Sequence, residues 1–237
     1  MIPLSDDNPT ESTPLVTITL IASCVLDFLY QSTLPAQQGQ AFVFQFGAIP
    51  ALLFGHADPP MDLVVIPAYA TLLTSMFLHG SWMHLIGNML YLWIFGNNIE
   101  DVMGHAKFVL FYFTCGILAA LSHALTDLSS TLPMVGASGA ISGVLGAYLL
   151  LFPRAQVLVF IPLGFASRTL YVPAGFVLGL WFVMQLLSGG VSVGGGGGGG
   201  GVAFFAHIGG FVAGMALIGF FKRADIPFFA PAHHRRW

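Results

Sequence analysis

Six stretches of this chain, at roughly 15–34, 82–99, 106–125, 137–152, 171–187 and 203–221, are apolar over close to the length that carries a helix through a bilayer, about 20 residues. A chain in hydrocarbon must satisfy its backbone N–H and C=O groups internally, so each stretch is expected to be a helix. Charge is too scarce for a soluble alternative. Charged residues make up 7% of the 237 and hydrophobic residues 56%, whereas a soluble domain carries about 25% charged residues. The sequence therefore predicts an all-α, polytopic membrane protein with six transmembrane helices. Residues 1–14 read as a short N-terminal tail, 15–222 as the six-span domain and 223–237 as a C-terminal tail. The net charge of −3 offers nothing to a nucleic acid, so the lipid bilayer is the expected surroundings. Cys24 and Cys115 lie in apolar stretches without disulfide or metal spacing.

The basic residues fix an orientation. Lys107 falls where the loop from span two enters span three, Arg154 and Arg168 between spans four and five, and Lys222, Arg223, Arg235 and Arg236 after span six. All of these places lie on one side of a six-span chain, and the positive-inside rule makes that side, with both termini, cytoplasmic. The segment 35–81 is too apolar for an ordinary soluble loop and carries Pro35, Pro50, Pro59, Pro60 and Pro67, which disfavour one straight helix. It is expected to lie in the membrane interface. The N-terminus lacks the basic region of a secretory signal, so span one is expected to be retained. These features and the short tails point to a bacterial inner membrane.

Small residues suggest which helices touch. Gly139 and Gly143 in span four, and Gly210 and Gly214 in span six, recur at four-residue spacing, which lets two backbones approach closely in lipid. Spans four and six are expected to pack face to face. The run from Gly194 to Gly201 separates spans five and six on the outer side and reads as a flexible cap, gate or tolerated linker.

Polar residues inside a membrane need partners or water, so their clusters are candidate sites. Gly136-Ala137-Ser138-Gly139 opens span four, leaving the Ser138 hydroxyl unobstructed by bulky neighbours. At a helix start its backbone N–H has no intrahelical acceptor and can receive a developing oxyanion. Ala206-His207-Ile208-Gly209-Gly210 opens span six, and His207 shares a face with Gly210 and Gly214. A neutral imidazole there can take the serine proton and return it to a leaving amine. At the start of span two, His84 and Asn88 are one helical turn apart and can donate hydrogen bonds sideways. His79 reads as structural. Taken singly, Ser138 reads as a packing residue and His207 as a structural histidine. Together they converge, because the starts of spans two, four and six share one depth below the outer face. No metal is expected: the chain has no His-Glu-x-x-His pair and no carboxylate near these histidines. Asp27, inside span one, is expected to pair within the bundle or reach the interface.

In these stretches, Leu78-His79-Gly80-Ser81-Trp82-Met83-His84 through Asn88, Gly136-Ala137-Ser138-Gly139 and Ala206-His207-Ile208-Gly209-Gly210, the chain resembles the rhomboid intramembrane serine proteases over roughly 70–222. Glu100 and Asp101 are similar to the family's acidic position at the end of span two. The resemblance implies a six-helix bundle with an interfacial first loop and a Ser–His dyad without aspartate or cofactor. Ser138 would be the nucleophile and His207 the base. His84, Asn88 and the Ser138 N–H would form the oxyanion hole. It also implies single-span membrane proteins as substrates. Some members carry a Tyr four residues after the nucleophile, stacked on the base; here that position is Ser142, so His207 is expected to be oriented by packing or by another bond, for which Ser142 itself is a candidate. Some carry Trp-Arg in the first loop; here Phe42, Phe44 and Phe46 are the expected anchors. A catalytically silent relative that binds or escorts membrane proteins is the main rival, and a transporter with a midplane site the second.

Overall fold

The computed structural model describes residues 1–58, 63–194 and 203–230. Its elements run, in chain order, β1 (Ile2–Asp6), α1 (Leu15–Thr33), α2 (Ala36–Phe46), α3 (Pro50–Leu53), α4 (Thr71–Thr74), α5 (Trp82–Tyr91), a π-helical turn (Leu92–Gly96), α6 (Asn97–Met103), α7 (His105–Ala124), α8 (Ser138–Leu151), β2 (Gln156–Ile161), β3 (Arg168–Pro173), α9 (Ala174–Gly194) and α10 (Phe204–Phe221). The chain is mostly helical. Among the described residues, four helices are long and apolar enough to cross a membrane: α1, α7, α9 and α10.

Helix α8 lies at the centre, packed against α7 and α10 and buried from Gly139 through Tyr148. A helix buried all round has no need of an amphipathic stripe, and this one reads Gly-Ala-Ile-Ser-Gly-Val-Leu-Gly-Ala. A Cβ added to Gly210 would strike the carbonyl of Gly139, and one added to Gly214 the carbonyl of Gly143. Only glycine allows this approach of α8 and α10. Helices α5 and α6 form one continuous rod through the π turn, extending to Met103 rather than the expected residue 99.

Three features go beyond the expected six-helix bundle, and the first departs from an all-α fold. First, β1, β2 and β3 form an antiparallel sheet in the order β1-β2-β3. The strand Gln156–Ile161 is the run Gln-Val-Leu-Val-Phe-Ile, whose β-branched residues Val157 and Val159 are buried. Span five therefore begins at Ala174, because residues 171–173 belong to β3. Second, the first fourteen residues are stitched to the helices. The Asp6 carboxylate accepts hydrogen bonds from Tyr148 Oη (2.5 Å) and Asn98 Nδ2 (3.1 Å). Asp101 accepts from the backbone N–H groups of Glu11 (3.2 Å) and Ser12 (2.9 Å). Pro14 gives α1 no side-chain cap. The fully buried Glu100 carboxylate takes that place, accepting from the N–H groups of Val16 and Thr17 at 2.8 Å each. Third, the segment after α1 contains the helices α2, α3 and α4. Phe42 packs on Tyr30 and Phe46, whereas Phe44 is exposed. Pro59 and Pro60 lie outside the described residues.

The two ends of the bundle are distinct. At one end sit the sheet, the Glu100 and Asp101 bonds, and the C-terminal segment, where Arg223 N–H donates to Val102 O and Phe229 N–H to Leu150 O. At the other end, Ala48 and Met134 exchange backbone hydrogen bonds, Gly136 N–H donates to Ser75 O, and Gln31 Nε2 donates to His79 O. Near that end, Asp27 lines a cavity of about 350 Å³ with Phe42, Phe46 and Thr74, and its Oδ2 has no hydrogen-bond partner. Gly194 is the last residue of α9, and Gly201 lies outside the described residues.

Candidate active site

Ser138 is the first residue of α8, and His207 lies in the first turn of α10. Close packing of the two helices brings Ser138 Oγ to 2.8 Å from His207 Nε2. Both side chains are half-buried, so the pair is sheltered without being sealed. The other imidazole nitrogen, His207 Nδ1, lies 2.8 Å from Gln185 Oε1 of α9. The Trp181 ring, one turn earlier on α9, flanks the imidazole with centroids 5.9 Å apart.

Ser142 does not touch the base: its hydroxyl donates to Ser138 O at 2.6 Å, one turn back along α8. A serine with an i−4 carbonyl in reach takes that bond in preference to a more distant imidazole. The expected orienting role of Ser142 is thus corrected. Polar and aromatic contacts to His207 come from Gln185 and Trp181, which the sequence reading missed. The signal was available, since Gln185 is the one side-chain amide in an otherwise apolar span.

Across from Ser138 stand the residues at the start of α5. The Ser81 hydroxyl caps this helix by accepting from His84 N–H at 3.2 Å. Gly80 N–H donates to His84 Nδ1 at 3.5 Å, which leaves the ring proton on Nε2. Nε2 faces the turn before Ser138: a Cβ added to Gly136 would lie 2.7 Å from both His84 Cε1 and Nε2, and 3.7 Å from Asn88 Nδ2. Gly136 has φ of 121°, a conformation that L side chains rarely adopt, so glycine both turns the chain and admits the imidazole.

Asn88 is held from behind. His79 is fully buried, its Nδ1 donates to Phe77 O at 3.0 Å, and its bare Nε2 accepts from Asn88 Nδ2 at 3.0 Å. Burial, with a smaller contribution from the neighbouring His84 ring, pushes His79 down to about 4 and keeps it neutral, as this bond pattern requires. One amide proton of Asn88 is committed to His79 and the other remains to donate elsewhere. A cavity of about 30 Å³, bordered by Ser75 and Gly136, lies beside Ser138.

The site thus pairs a hydroxyl with an imidazole at the start of α8, and His84 and Asn88 stand against the Gly136 turn that precedes it. That arrangement can carry out acyl transfer: the imidazole deprotonates the hydroxyl, and the donors receive negative charge on a carbonyl oxygen.

A family model described as the Rhomboid domain matches residues 67–224. The chain is 31% identical over 149 residues to Rhomboid protein 1, mitochondrial, of Saccharomyces cerevisiae, a match covering 61% of this chain and 40% of that protein. It is 31% identical over 130 residues to the mitochondrial Presenilin-associated rhomboid-like protein of Mus musculus, covering 52% of this chain and 33% of the relative. It is 41% identical over 78 residues to Rhomboid protease GluP of Bacillus subtilis, covering 33% of this chain and 15% of the relative. In each case the match spans less than half of the relative's length.

Proposed function

This chain belongs to the rhomboid family, a multi-pass group of integral membrane proteins, and on that premise we propose that it is an intramembrane serine endopeptidase cutting single-span membrane proteins. The observation that carries the reading is the 2.8 Å contact between Ser138 Oγ and His207 Nε2. In this mechanism Ser138 attacks the scissile carbonyl while His207 takes its proton. The Ser138 N–H, His84 Nε2–H and Asn88 Nδ2–H receive the oxyanion. His207 then protonates the leaving amine, and a water activated by the same imidazole releases the acyl-enzyme. The cavity beside Ser138 is large enough for one water molecule.

Six crossings, formed by α1, the α5–α6 rod, α7, α8, α9 and α10, fit this chemistry. Helix α8 has 14 residues and rises about 21 Å at about 1.5 Å per residue, less than the hydrocarbon thickness of about 30 Å. Starting a short, protein-wrapped helix at Ser138 sets the nucleophile below the outer surface yet in reach of water. The basic residues Lys107, Arg154, Arg168, Lys222 and Arg223 belong to the opposite end, with the sheet, which supports cytoplasmic termini. Placement in a bacterial inner membrane draws no support from the two mitochondrial relatives.

A substrate helix hides its carbonyls in its own hydrogen bonds, so segments that unwind readily, rich in Gly or Pro, are the expected targets. The test is cleavage of a panel of single-span proteins co-reconstituted in liposomes. The wild type is expected to cut those with Gly- or Pro-containing outer ends, and Ser138→Ala and His207→Ala to cut none. Cleavage by Ser138→Ala would end this reading. Binding without cleavage by the wild type would favour an escort protein.

A further inference from the structure

The imidazole of His207 is held at both nitrogens: Nε2 lies 2.8 Å from Ser138 Oγ and Nδ1 lies 2.8 Å from Gln185 Oε1. An amide oxygen only accepts hydrogen bonds, so this contact puts the ring proton on Nδ1 and leaves the Nε2 lone pair for the serine hydroxyl. The opposite tautomer would donate from Nε2 to Ser138 and could not take its proton. We propose that Gln185 is the positioning residue of the dyad, selecting the reactive tautomer and rotation of His207. The proposal rests on the Ser–His reading above and deepens it.

Other neighbours are unsuited to the task. The Ser142 hydroxyl is committed to Ser138 O. Trp181 borders the ring at 5.9 Å between centroids, and its indole N–H is a donor only, so it restrains the plane without choosing the tautomer. In a three-membered serine triad a buried carboxylate fixes the base in the same way. Here the acceptor sits on α9 between Met184 and Leu187, both largely exposed on the surface that would meet lipid. A carboxylate there would carry the cost of a charge within the membrane, and an amide supplies the acceptor without it.

The choice of helix matters as well. At its inner end α9 is fastened by Ala174 N–H to Ala155 O and Gly175 N–H to Pro153 O. Gln185 lies three turns further out, toward the glycine run. The base is therefore poised only while the outer half of α9 rests against α10.

The experiment uses the full chain in liposomes with a fluorogenic single-span substrate. It compares the wild type, Gln185→Leu, Gln185→Glu and Ser138→Ala across a pH series. Leucine fits a lipid-facing helix but accepts no hydrogen bond. Gln185→Leu is expected to lower kcat by about 10- to 100-fold with KM unchanged, less than the loss on mispairing a charged triad because no ionic stabilisation is removed. Gln185→Glu keeps an acceptor and adds negative charge, which favours the imidazolium. Its acid limb in kcat/KM is expected to move to higher pH by about one unit or more, with activity recovered above that limb. Wild-type kcat in Gln185→Leu together with an unmoved acid limb in Gln185→Glu would overturn the positioning role while leaving the dyad intact. Should Gln185→Leu fail to fold, the acid limb of Gln185→Glu decides alone. Cleavage by Ser138→Ala would instead remove the dyad on which the proposal stands.

Discussion

Replacing Gly136 by alanine separates the contribution of the backbone turn to stability from its contribution to chemistry. The residue has φ of 121°, and holding a non-glycine residue in such a region costs about 1–3 kcal/mol. The new Cβ would also lie 2.7 Å from Cε1 and Nε2 of His84. Ordinary carbon contacts fall near 3.5–4.0 Å, so the imidazole has to retreat by about 1 Å. A displacement of about 1 Å in a catalytic group costs on the order of 100-fold, comparable to losing one oxyanion donor. Gly136→Ala is therefore expected to fold with stability lower by about 1–3 kcal/mol and to show kcat reduced about 100-fold with KM little changed. Initial rates over a range of substrate densities in liposomes, paired with a denaturant titration, measure both quantities. A folded Gly136→Ala with wild-type kcat would refute the assignment of His84 as an oxyanion donor pressed against this turn.

Two further predictions concern the end of the bundle away from the site. Glu100→Gln exchanges one acceptor oxygen for an amide donor where the N–H groups of Val16 and Thr17 and Nδ1 of His105 all converge. It is expected to destabilise the fold by about 1–3 kcal/mol, the cost of a buried mismatch, and unchanged unfolding would contradict the capping of α1 by this carboxylate. Burial raises Asp6 to about 6 despite the opposing Tyr148 hydrogen bond, so between pH 4 and 6 the native state binds the proton that the unfolded state releases. Stability contributed by Asp6 is thus present at low pH and is lost as pH rises through about 6; Asp6→Asn should remove that slope, and identical pH–stability curves for the two proteins would exclude it.

The legible parts of this molecule were those in which local pattern and lipid demand agree. The stretches 15–34, 106–125 and 203–221 correspond to helices Leu15–Thr33, His105–Ala124 and Phe204–Phe221, because an uninterrupted apolar run has one way to satisfy its backbone. Ser138, His207 and His84 stand out in the sequence as polar groups in the first turns of apolar helices, and the structure brings the first two within 2.8 Å. The sheet was hidden because each of its strands is only five or six residues long and β1 pairs with β2 across about 150 positions of sequence. Short apolar runs such as Val157–Ile161 read as either strand or helix until their partners are known. Ser142 misled for a different reason. Its position in sequence matches a base-contacting residue elsewhere in the family, but a hydroxyl on a helix has its own i−4 carbonyl within reach. Gln185 belongs to another helix, and nothing local announces which histidine its amide will meet.

A Ser138 nucleophile activated by His207 can be trapped chemically. Treatment with a fluorophosphonate, followed by intact-mass analysis, compares the wild type with Ser138→Ala and His207→Ala. One adduct is expected on the wild type, mapped to Ser138 by peptide sequencing, and none on either variant over the same time. An adduct on Ser138→Ala, or labelling of His207→Ala at the wild-type rate, would rule out a Ser138–His207 dyad.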